Sequence, residues 1–178
     1  DLGRAVEGVV RACFSSAGQL CISTERVLVH EAIADEFIPR FVAAVDAMTL
    51  GTELEYGYDM GSLVSQEQLE TVTQHVEDAV AKGATLLAGG KARPDLGPFV
   101  FEPTVLTDVS SAMLCRDEET FGPVVSITPF DTDEEAIALA NDVEYGLAAY
   151  VWTNSIARAH NVAHAIDSGM VWINSHNV

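Results

Sequence analysis

Basic residues are scarce in this chain. Lys and Arg total 9 of 178 residues against 27 Asp and Glu, a formal charge of -18. Such a balance opposes attraction to phosphate backbones and anionic lipid, so nucleic acid and membrane surfaces are poor partners. Cysteine is sparse too. Cys13, Cys21 and Cys115 are odd in number and irregular in spacing, which argues against a disulfide framework and for a reducing, cytoplasmic setting. No apolar run is long enough to span a bilayer, no secretory-type leader pattern opens the chain, and no repeat or low-complexity segment interrupts it. What remains is a soluble-type composition with 48% apolar residues, ample for one core.

Against that background one stretch stands out. Leu2, Val6, Val9, Val10, Cys13 and Phe14 fall three and four apart, the stripe of an amphipathic helix that runs to about Ala17. Gly18 is placed to end it in a left-handed conformation, and three residues later comes Cys21. Arg26 to His30 then reads as a strand, so Cys21 lies in a helix-to-strand loop while Cys13 belongs to the core face. A thiol becomes a strong nucleophile where backbone donors or a neighbouring cation lower its pKa, and a glycine-terminated turn can supply such donors. Core filler is the competing reading of any free cysteine.

Further helices are expected over 33–48, with Pro39 kinking it or marking its effective start, after a capping box at Ser65 and Gln68, after a second one at Thr132 and Glu135, and over 156–166 with Asn154 as cap. In the helix after Ser65 the expected inward residues are Leu69, Val72, Val76 and Val80. Strands are expected at 85–88, 104–106, 124–130, 148–153 and 170–173, with a further extended segment at 99–101. This alternation predicts an α/β fold: an open, twisted, mostly parallel sheet flanked by helices.

A second informative stretch is Arg116 to Val125, in which Asp117, Glu118 and Glu119 precede Phe121-Gly122-Pro123 at the entrance to an apolar strand. A carboxylate on a proline-stiffened loop can accept hydrogen bonds from two sugar hydroxyls; a solvated acidic turn is the plainer reading. Two other constellations offer different chemistry. Cys21, His176 and Asn174 have the residue types of a cysteine-hydrolase triad, and His160 with His164, near Asp167, has the spacing of two metal ligands on one helix face, although the glutamate of the zincin pattern is missing.

Gly18-Gln19-Leu20-Cys21, with Arg26 five residues on, and Glu119-Thr120-Phe121-Gly122-Pro123 together resemble the signatures of the NAD(P)-dependent aldehyde dehydrogenases. Gly83 to Gly90, Glu102 to Val105, Tyr145-Gly146-Leu147 and Gly169 to Asn174 support the resemblance, which covers essentially the whole chain. It implies that Cys21 is the nucleophile, with its own backbone N–H helping to stabilise the oxyanion. It further implies that Glu119 holds the nicotinamide ribose of NAD or NADP and that Phe121 positions the cofactor.

By the same resemblance residues 1–178 form the catalytic, cysteine-bearing domain, without its cofactor-binding and oligomerisation segments. The family's general base and the asparagine of its oxyanion hole are expected before Asp1, so residues 1–178 alone are expected not to turn over. The substrate implied is a small-molecule aldehyde, and the assembly a homo-oligomer. The residues around Cys21 look most like bacterial members called succinate-semialdehyde dehydrogenases. A non-catalytic assembly module is the alternative from another class.

Overall fold

The computed structural model describes residues 1–54 and 56–176. Helix α1 (Leu2–Phe14) opens the fold, capped by the Asp1 side chain on the Arg4 N–H, and it buries Val6, Val9, Ala12, Cys13 and Phe14. It stops before Ala17. Ser15–Gly18 forms a 3₁₀ turn in which Ser16, Ala17 and Gly18 all have positive φ (54°, 56° and 69°), so the glycine expected at the helix end is the last of three left-handed residues.

Strand β1 (Arg26–His30) leads into α2 (Glu31–Asp46). Pro39 lies inside α2 without ending it; both Pro39 and Asp35, whose carbonyl loses its helical partner, are exposed residues. Helix α3 (Gln66–Ala81) follows a long turn-rich loop and starts as expected, with Ser65 Oγ accepting from the Gln68 N–H. The second half of that capping box is absent, since the Gln68 side chain reaches residues 120 and 121 instead. The buried stripe of α3 is also rotated from the expected one: it comprises Val72, His75, Val76 and Ala79, and Val80 is exposed.

Strands β2 (Thr85–Ala88) and β3 (Thr104–Thr107), the single turn α4 (Leu114–Asp117) and strand β4 (Val124–Phe130) complete the main sheet. Its order is β1-β4-β3-β2, with β4 parallel to both neighbours and β2 antiparallel to β3. The expected segment at 99–101 contributes only a bridge from Phe101 to Ala92. Helix α5 (Asp133–Asn141) is capped by Thr132, while Glu135 caps the N–H of Asp131. Strand β5 (Ala148–Val151), α6 (Ile156–Ala165) and β6 (Met170–Ile173) form a βαβ unit whose two parallel strands make a separate sheet. Ser155, not Asn154, caps α6.

The α/β fold class and its mostly parallel sheet agree with the sequence reading, with the strands divided between two sheets. The core sits between the main sheet and helices α1, α2 and α3, and among its fully buried side chains are Phe14, Phe41, Phe101, Leu106 and Ile127. Phe41 is stacked between Phe14 and Phe37, with ring centroids 6.3 and 5.7 Å away. Replacing Phe41 by Ala should therefore cost about 3–5 kcal/mol in a urea unfolding experiment. A loss below about 1 kcal/mol would contradict this placement of the core.

Candidate active site

The loop carrying Cys21 is tied down on all sides. Its Leu20–Ser23 turn is closed by the Ser23 N–H on the Leu20 carbonyl (2.8 Å), and the Thr24 N–H returns to the Ala12 carbonyl at the end of α1 (3.0 Å). Gln19 reaches outward, its Oε1 accepting from the Val64 N–H at 2.8 Å and its Nε2 donating to the Ser16 carbonyl at 3.1 Å. The Tyr150 hydroxyl donates to the Ile22 carbonyl at 2.6 Å, and its ring stacks on Trp172. Burial, together with the nearby thiols Cys13 and Cys21, pushes the Tyr150 hydroxyl up to about 12, so it remains a donor at neutral pH.

Of the three thiols, Cys21 is exposed and the other two are buried. Burial raises Cys13 well above the ordinary thiol range, and it pushes Cys115 up to about 11. The nucleophile is the thiolate, so the two buried cysteines are structural. Among the described residues the Cys21 N–H engages no acceptor.

The second stretch forms a turn just before the sheet. Ladder pairing of β4 with β3 begins at Val124, so the backbone groups of Thr120 and Phe121 lie outside it and need other partners. Side chains supply them. Glu25 accepts from the Thr120 N–H through Oε2 and from the Phe121 N–H through Oε1, each at 2.9 Å. Gln68 Nε2 donates to the carbonyls of both residues, at 2.8 and 2.9 Å. His75 Nδ1 lies 3.0 Å from Thr120 Oγ1.

Gln68, Val72 and His75 stand four and three apart, so one face of α3 supplies this whole side of the turn. Phe121 has φ 50°, a conformation costing a non-glycine residue roughly 1–2 kcal/mol. Two hydrogen bonds to a carboxylate, each about 1.5–3 kcal/mol, outweigh that cost. Burial raises the Glu25 pKa, the two backbone N–H groups pull it down, and the Glu119 charge pushes it up.

The two stretches meet. A Cβ on Gly18 would lie 2.0 Å from the Gly122 carbonyl oxygen, and one on Gly122 would lie 2.3 Å from Val72 Cγ2. A cleft of about 1040 Å³ runs along both, lined by Cys21, Glu25, Glu119, Tyr150 and Asn174 among others. Phe121 is half-buried and is not on that lining.

The Arg26 guanidinium donates to the Leu139 carbonyl at 2.6 Å. Asn174 spends both ends of its amide on Thr153, and His176 packs against the Tyr150 ring, which does not assemble a Cys-His-Asn triad. No three His, Cys, Asp or Glu side chains among the described residues group as metal ligands.

The family model for the "Aldehyde dehydrogenase family" matches residues 1–178. The chain belongs to the aldehyde dehydrogenase family. It is similar to a Mycobacterium ulcerans (strain Agy99) protein provisionally named succinate-semialdehyde dehydrogenase (NADP+) 2, with 55% identity over 174 residues, 98% of this chain and 34% of that one. Among solved structures it is similar to succinate-semialdehyde dehydrogenase from Burkholderia pseudomallei, at 43% identity and TM-score 0.95, over 100% of this chain and 37% of that chain. Betaine aldehyde dehydrogenase from Staphylococcus aureus in complex with NAD+ gives 38% identity and TM-score 0.95, over 100% and 36%. The chain thus spans about a third of the length of these family members.

The sequence singled out Cys21, Glu119 and Phe121, and it missed the residues that hold them. Glu25, an acid at the mouth of an apolar strand, carried a usable signal; His75 and Tyr150 carried none. His75 is buried with a pKa lowered by desolvation, which outweighs the opposing charges of Glu118 and Asp78. Below the ordinary imidazole value of 6.5 the unfolded chain binds a proton that the folded one does not, so stability falls as pH drops through that range. The urea midpoint should fall between pH 7.5 and pH 5, and by less in His75→Gln; equal falls would contradict this.

Proposed function

We propose that this chain is the cysteine-bearing catalytic domain of an NAD(P)-dependent aldehyde dehydrogenase, and that it oxidises an aldehyde to a carboxylic acid. The observation carrying this reading is the joining of an exposed Cys21 and Glu119 on one cleft by the packing of Gly18 against Gly122. The Cys21 thiolate attacks the aldehyde carbon, a C–S bond forms, and the carbonyl electron pair moves to oxygen. The unengaged Cys21 N–H is the donor that stabilises this oxyanion. Tyr150 and the Leu20–Ser23 turn hold the sulfur-bearing loop in place during the attack.

Glu119 is exposed on the cleft, and its two oxygens suit the two hydroxyls of a nicotinamide ribose, so the residues present fit a dinucleotide. NAD or NADP, when bound, would supply a hydride acceptor, and Cys21 would hold the oxidised carbon as a thioester. Hydrolysis of the thioester then releases the acid and restores the thiolate. Glu25 is held by Thr120 and Phe121 and does not serve as the base for that water; in this reading the base, the oxyanion-hole asparagine and most of the dinucleotide site come from outside residues 1–178.

Succinate semialdehyde is the substrate favoured by the similarity to proteins named for it. The enzyme works as a cytoplasmic homo-oligomer, an assembly supported by the exposed Tyr145, Leu147, Met170 and Ile173 in and before β5 and β6. No described helix is long and apolar enough to cross a membrane.

The test is NAD(P)H formation from succinate semialdehyde by the full-length enzyme. Cys21→Ser should lower kcat by about 10³-fold or more while leaving dinucleotide binding intact. Turnover by that variant within tenfold of wild type would overturn the reading, as would rapid NAD(P) reduction by residues 1–178 alone.

A further inference from the structure

We propose that Glu25 is a positioning residue for the dinucleotide: its carboxylate fixes the turn bearing Glu119 and Phe121 relative to the Cys21 loop. This rests on the dehydrogenase reading above. Glu25 lies four residues after Cys21, on the short segment whose Thr24 N–H is anchored to α1. Its own carbonyl accepts from the Ser126 N–H at 2.9 Å and the Ser126 hydroxyl at 3.2 Å, which locks its main chain to β4. The side chain then reaches back to the two residues directly after Glu119, 95 and 96 positions away in sequence.

No neutral side chain replaces it. The two N–H groups are donors on successive residues, and each meets a different carboxyl oxygen at 2.9 Å. An amide offers one acceptor oxygen and turns an NH₂ towards the other donor. Gln68 holds only the carbonyls of the same turn, so it does not substitute for Glu25. With Phe121 at φ 50°, the turn has lower-strain conformations to relax into once the N–H groups are released. Any of these moves Glu119 along the cleft, and small misplacements of a cofactor-holding group are expensive.

The experiment compares wild-type full-length enzyme with Glu25→Gln, which keeps the side-chain volume. The dinucleotide KM should rise about tenfold, with the aldehyde KM and the rate of Cys21 alkylation by iodoacetamide within about twofold of wild type. Amide exchange should accelerate at Thr120 and Phe121 and stay unchanged at Val125 and Ile127 in β4. A dinucleotide KM within twofold of wild type overturns the proposal, and so does a general loosening in which both KM values and β4 exchange rise together. Wild-type enzyme that reduces neither NAD nor NADP overturns the dehydrogenase reading itself, a result distinct from normal wild-type turnover with an unaltered Glu25→Gln.

Discussion

The carbonyl oxygen of Gly122 occupies the space that a side chain at position 18 would need, 2.0 Å from where its Cβ would stand. Two loops a hundred residues apart are thereby brought into backbone contact. Gly18 must be glycine on two counts, the approach and its φ of 69°. Gly122 in turn presses on Val72 of α3, so the Cys21 loop, the acidic turn and a helix converge on one atom cluster. Everything proposed about the cleft follows from that convergence, because it brings together the two stretches whose Cys21 and Glu119 line the same cleft.

Packing alone would leave the turn before β4 with four unpaired backbone groups in a half-buried place. Charged and polar side chains from two other elements take them instead, Glu25 from the Cys21 loop and Gln68 from α3. The arrangement has an electrostatic cost, visible in the pKa of Glu25, raised first by burial and further by Glu119, and in that of His75, lowered by burial. Buried polar groups held this way are costly to disturb when one partner is removed. That makes the turn rigid, as the role proposed for Glu119 requires.

Much of this was legible beforehand, and the limits have physical causes. The stripe of α1, the strand at 124–130 and the Ser65 cap follow from local periodicity and local hydrogen bonds, which a short window of sequence contains. Cys21, Glu119 and Phe121 were singled out through the family resemblance carried by their signatures. The left-handed Ser16 and Ala17 were not readable, since neither residue type favours that conformation. Gln68 looked like half of a capping box until a nonlocal partner claimed its amide. The stripe of α3 shifted to include His75 because Thr120 offers it a buried hydroxyl, a contact 45 residues away. The separation of β5 and β6 from the main sheet likewise depends on pairings that hydropathy does not encode.

The claim that these two loops act as one unit is tested most directly by Gly18→Ala in the full-length enzyme, read by two probes, the dinucleotide Kd and the rate of Cys21 alkylation. The account predicts that both change together, Kd weakening by about tenfold or more and the alkylation rate shifting by several-fold, since one misplaced backbone contact disturbs both sides of the cleft. A variant in which Cys21 reactivity changes while dinucleotide affinity stays at the wild-type value would contradict it.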